Sequence, residues 1–190
     1  MCKIISVGVM IGWLCLLPLA AMSDEKTNEA DTYDQETVLK EAEAFFGKGA
    51  QGLAKIIEKA FKDHGRPDGY IRGEEAGGAV VVGVRYGDGT LVLKRGVRRK
   101  VHWKGPSVGF EIGGSAAKVF MLVYNLPKLS GLFHRYPGVE GSLYFIGGLG
   151  ISYVKRDDTV LAPIRLGVGW RYGANVGYLH FTRKKSWVPF

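Results

Sequence analysis

The stretch AKVFMLVYN, Ala117–Asn125, decides the fold. Strand alternation sends Val119, Met121 and Val123 to one side and Phe120, Leu122 and Tyr124 to the other, and both sets are apolar. A strand with two apolar faces must lie between two apolar layers. GAVVVGV, residues 78–84, has the same character. The inside of a β-barrel supplies one layer, and a helix docked on the barrel wall supplies the other.

The helix is written upstream. In AQGLAKIIEKAFKDHG, residues 50–65, Leu53, Ile56, Ile57, Ala60 and Phe61 recur at helical spacing while Lys55, Glu58, Lys59 and Lys62 face away. Gly65 closes it and Pro67 prevents its continuation. The apolar stripe is narrow, which favours packing on a sheet over lying on a membrane surface. An earlier helix spans TYDQETVLKEAEAFFG, with Asp34 near its start and Gly47 as its stop.

After Gly65 the chain turns to short β-branched and aromatic runs. Strands are predicted near 69–74, 78–86, 90–95, 98–104, 107–113, 117–125, 142–154, 158–164, 165–172 and 174–182. Tyr86-Gly87-Asp88-Gly89 reads as a tight hairpin, because Asp-Gly supplies positive φ. Strands this frequent with so little helix between them predict a mainly β protein. The expected form is a small antiparallel barrel of about eight to ten strands with N-terminal amphipathic helices packed outside.

The first 23 residues read as a signal peptide, with Lys3 as n-region, an apolar run from Ile4 to Leu17, and Ala21-Met22-Ser23 as the cleavage pattern. Residues 24–33 form an acidic leader, and 34–190 a single domain. No small residue precedes Cys15 directly, which argues against a lipid anchor. Both cysteines, Cys2 and Cys15, leave with the peptide, so no disulfide is expected. From Asp24 to Phe46 there are eight acidic and two basic residues, and from Gly47 onward 23 basic and 10 acidic. The basic body favours anionic partners. An exported chain does not meet nucleic acid, so envelope lipid, lipopolysaccharide or cell-wall polymer is the expected class, with at most peripheral contact with a membrane.

Seven motifs together resemble the envelope integrity protein A family: GLAKIIEKAF, GRPDGYIRGEEAGGA, VRYGDGTL, WKGPSVGFEIGG, MLVYNLP, APIRLGVGWRYGANVGYLHFT and the terminal WVPF. They are collinear and cover the chain from about Asp34 to Phe190. The resemblance implies a periplasmic protein of Gram-negative bacteria with a small β-barrel, required for a robust envelope. It implies no enzyme activity, no catalytic residue and no cofactor. Residues 77–150, through YGDGTL, WKGPSVGFEIGG, MLVYN and GGLG, are similar to the SYLF domain, a lipid-binding module.

Two candidate sites follow from the residues themselves. Gly109, Glu111 and Gly113 with Ser107 form a face nearly bare of side chains, and Gly167 and Gly169 lie between Arg165 and Arg171 on another. Gly148 and Gly150 beside Ser152 make a third. Such glycines either let a barrel bend or line a groove where Arg165 and Arg171 fork around an anionic head group; Glu111 could instead pair with one of them. In RGVRRKVHWKG, alternation points Val101 and Trp103 inward and Arg98, Lys100, His102 and Lys104 outward, with Lys94 contributed by the preceding strand. That row is either an anionic docking face or a charged strand protected from edge pairing.

Enzyme signatures are weak. His64, His102, His134 and His180 have no metal-ligand spacing, and no metal is expected. Ser107 sits in no nucleophile elbow, and GVGWRYG opens no helix. His64 ends a helix, where a cation would complement the dipole. Glu74, Glu75 and Glu111 leave a polymer hydrolase as a remote reading. A protein–protein scaffold for envelope assembly is the nearer alternative to ligand binding.

Overall fold

The computed structural model describes residues 29–48, 50–111, 116–139, 142–166 and 177–186. The expected signal peptide and the candidates Gly113, Gly167, Gly169 and Arg171 lie outside the described residues, as do the side chains at 78–82 and 107–111, Glu111 among them.

Helix α1 (Gln35–Phe46) begins at Asp34, whose carboxylate accepts hydrogen bonds from the Thr37 amide and hydroxyl, both at 2.8 Å. This satisfies an amide that the first turn leaves orphaned. Helix α2 (Leu53–His64) buries Leu53, Ile56, Ile57 and Ala60, the stripe that its spacing predicts. The strands are β1 (Gly69–Leu93), β2 (Arg98–Glu111), β3 (Ala116–Tyr124), β4 (Arg135–Pro137), β5 (Tyr144–Ile146), β6 (Leu149–Ile151), β7 (Val154–Arg156), β8 (Thr159–Leu166) and β9 (Tyr178–Thr182). They form one antiparallel sheet in the order β4-β9-β2-β1-β3-β8-β6-β5, with β7 also on β8. The sheet curls until β4 meets β7, through a bridge between Gly138 and Val154 and a 3.0 Å bond from Val139 N–H to Tyr153 O. A mainly β barrel with two N-terminal helices is what the sequence predicts.

The two-faced reading of β3 holds residue by residue. Phe120, Leu122 and Tyr124 pack under the helices, in one core with Val38, Ala42, Ile56, Ile57 and Ala60. Val119, Met121 and Val123 join the second core inside the barrel, with Ile71, Leu91, Trp103, Leu161 and Phe181. Polar ties fix the helices on the wall: Tyr70 donates to Glu41 (2.9 Å), Tyr153 to Asp63 (2.7 Å) and Lys118 to Phe45 O (3.0 Å).

The expected hairpin at Tyr86–Gly89 is not there. β1 runs straight through it, with Gly87 opposite Trp103 and Asp88 opposite His102. β1 instead doubles back on itself further upstream. Its first half pairs with β3 and its second with β2. Lys94 N–H donates to Asp68 O at 2.9 Å, and a Cβ on Gly73 would come within 2.8 Å of Gly89 Cα. Only glycine lets two backbones approach so closely where the wall folds. The predicted strand 142–154 is likewise three short strands, because Gly147 and Gly148 take positive φ (57° and 77°) and turn β5 into β6.

Candidate functional site

Arg165 is committed to a buried ion pair. Its side chain is only 5% exposed, and it turns into the barrel toward Glu75, which is 9% exposed. Arg165 Nε donates to Glu75 Oε1 at 3.1 Å and Nη2 to Oε2 at 3.4 Å, while Nη1 reaches Ser152 Oγ at 3.4 Å. Trp103 Nε1–H completes the set at 2.8 Å from Glu75 Oε2, and Arg85 Nη1 stands 3.9 Å from Oε1. Burial pushes the Glu75 carboxyl up, but the guanidiniums of Arg165 and Arg85, with the two hydrogen-bond donors, outweigh it and hold its pKa below the ordinary value. The carboxylate that Arg165 meets is therefore Glu75, 90 positions away, where the sequence offered Glu111. Glu74, the next carboxylate, is exposed and Glu75 is buried, so the two stand on opposite faces of the wall and share no cleft.

Gly87 belongs to the same cluster. A Cβ there would fall inside the Trp103 indole. Its bareness makes room for the ring that reaches Glu75.

The outward row divides into separate environments. Val101 and Trp103 are buried, as alternation predicts. Arg98 and Lys100 are exposed, and Lys100 sits 3.8 Å from Asp88. Lys94 stacks over Tyr33 at 5.0 Å. Lys104 is 6% exposed, with Nζ 3.4 Å from Ser186 Oγ, because the chain after β9 crosses over it. The Lys104 expectation is thus corrected. His102 is half-buried, with an Nδ1 that meets no hydrogen-bond partner. The backbone of Gly109 pairs with Val81 in the β1–β2 ladder. His64 packs edge-on against Tyr153 at 4.6 Å, and burial lowers its pKa, so it favours the neutral ring over the dipole-complementing cation expected.

A cationic pocket joins Lys100 of that row to residues that no sequence pattern singles out. Arg99, Lys100 and Arg183 surround a cavity of about 420 Å3 floored by Leu129, Ser130 and Phe133. Arg183 stacks on the Phe133 ring at 5.0 Å. The floor is fixed by the 3-10 turn Leu129–Leu132, whose Leu132 plugs the barrel core. Tyr136 ties that turn down by donating to Gly131 O at 2.7 Å, and burial pushes its pKa up to about 12. Arg99 shares the parity of the buried Val101 and Trp103, yet it sits at the barrel's end and is exposed. Arg183 follows the last strand, where no periodic signal exists.

These features define a class: a small antiparallel barrel with a hydrophobic wall under two helices, a buried ion pair inside and a cationic pocket at one end. The chain belongs to the envelope integrity protein A family, whose model matches residues 31–190. It is similar to a crystal structure of a beta-barrel-like protein from Brucella abortus, with 47% identity, a TM-score of 0.76, and coverage of 85% of this chain and 100% of the other. No curated protein matches. The family carries an envelope-integrity role. Among the described residues no helix is long and apolar enough to cross a membrane.

Proposed function

We propose that this chain is an exported, non-catalytic periplasmic protein that maintains the envelope by holding an anionic, amphipathic component: phospholipid, lipopolysaccharide or cell-wall polymer. The observation that carries this is the pocket of Arg99, Lys100 and Arg183. Three cations converge over Leu129 and Phe133, and no carboxylate lines the pocket among the described residues. Guanidiniums suit a phosphate or carboxylate bidentately, and the apolar floor suits the carbon skeleton beside it. Each cation near an anionic surface contributes about 1 kcal/mol.

The test is co-sedimentation with phosphatidylglycerol vesicles, compared with phosphatidylcholine vesicles. The protein binds the anionic vesicles and releases them in high salt. The variant Arg99→Glu, Lys100→Glu, Arg183→Glu binds at least about 100-fold more weakly, from three such contributions. Unchanged binding by that variant would remove the pocket from the account.

The scaffold reading has one observation in its favour. β5 ends the sheet and exposes Tyr144 (37%) and Phe145 (43%), with Val139 (41%) nearby. A protein partner captured through this edge, lost on Phe145→Glu, is the outcome that would favour it.

A further inference from the structure

The outer wall of the barrel that the helices leave uncovered carries a second cavity, of about 210 Å3, with a lining unlike the cationic pocket. Two rungs of side chains build it. The registers set Asp88 beside His102 and His102 beside Thr182, across β1, β2 and β9. The doubled-back half of β1 extends the rung, since Gly73 opposite Gly89 and Gly77 opposite Arg85 place Glu74 beside Asp88. The next rung sets Ala76 by Tyr86, and Tyr86 by Lys104. Ala76 is the small residue in this rung, and the hollow over it is walled by Lys185 and Ser186, where the chain crosses the sheet after β9.

We infer that this hollow is a saccharide site that takes one sugar ring of a glycan. The lining mixes two carboxylates, Glu74 and Asp88, with two ammoniums, Lys104 and Lys185, so a purely anionic ligand suits only half of it. An acyl chain offers none of the charged groups in this lining a hydrogen bond, at a cost. A sugar ring satisfies the whole lining, because each hydroxyl both donates and accepts. Its donors meet the two acceptor-only carboxylates, and its oxygens meet the donor-only ammoniums of Lys104 and Lys185. The ring's C–H face lies against Tyr86 and Ala76. The volume fits this ligand class as well, being below the roughly 300–1,000 Å3 of sites for larger organic molecules.

The inference is independent of the cationic pocket, and uncharged probes keep the two separate. The purified protein is titrated with mannose, galactose and N-acetylglucosamine while its amide resonances are followed by NMR. At least one of the three shifts amides on the Asp88–His102–Thr182 rung, and its affinity stays within about twofold in high salt, unlike contacts to an anion. Ala76→Trp, which fills the hollow from an exposed position, weakens binding by about tenfold or more, the scale of a lost pocket fit. Glu74→Ala does the same by removing an acceptor, without adding bulk. No binding by all three sugars, shifts confined to another part of the protein, or full affinity in both variants would overturn the inference.

Discussion

Glu75→Gln removes one charge from the barrel interior and almost nothing else. Gln has the same shape, so Trp103 Nε1–H keeps an acceptor, but Arg165 stays 5% exposed with no counter-charge bonded to it. Breaking a buried pair by removing one partner costs about 3–5 kcal/mol, because the remaining charge is left uncompensated. The amide oxygen still accepts one bond, which places the expectation near the low end, about 3 kcal/mol. For a domain of this size that is roughly 6–12 °C in Tm. The assay is urea unfolding followed by tryptophan fluorescence, with Glu75→Met/Arg165→Met as the control. Replacing both partners by apolar groups is often close to neutral, so the double variant recovers more than half of the loss. Acid titration adds a signature. The folded pKa of Glu75 lies below its ordinary value of 4.5, so the folded state holds fewer protons than the unfolded one. Its contribution is present above about pH 4.5 and is lost as pH falls through the lowered folded value, so wild type and Glu75→Gln converge in acid. A Glu75→Gln protein within about 1 kcal/mol of wild type, or a double variant as unstable as the two singles combined, would refute the reasoning.

Gly87→Ala drives a methyl into the Trp103 ring and costs about 1–3 kcal/mol, with a shift in tryptophan emission as the second readout. Phe120→Ala opens the interface between β3 and the helices, with an expected loss of about 3–5 kcal/mol and faster hydrogen exchange in α1 and α2. Asp34→Ala removes the cap of α1 and costs about 1 kcal/mol, read by thermal melting.

The two-layer architecture was legible because β3 writes both apolar faces within nine residues, and α2 writes its stripe within twelve. Alternation also placed Val101 and Trp103 correctly. What local pattern could not give was anything decided across the barrel. Tyr86-Gly87-Asp88-Gly89 has the local chemistry of a turn, yet its glycines answer to Trp103 and to Gly73, neither of which is adjacent in sequence. The partner of Arg165 lies 90 residues away, and no spacing rule connects it to Glu75. Lys104 reads as solvent-facing until the chain beyond Thr182 folds over it. The cationic pocket draws on the start of β2, a 3-10 turn and the end of β9, three places with no shared period.

The most direct measurement is detergent survival of cells whose only copy of this protein carries Arg99→Glu, Lys100→Glu and Arg183→Glu, with its folded level checked against wild type. The account predicts that these cells, holding normal amounts of folded protein, are as sensitive as cells lacking it. Full resistance at that protein level would contradict the claim that an anionic component held at this pocket maintains the envelope.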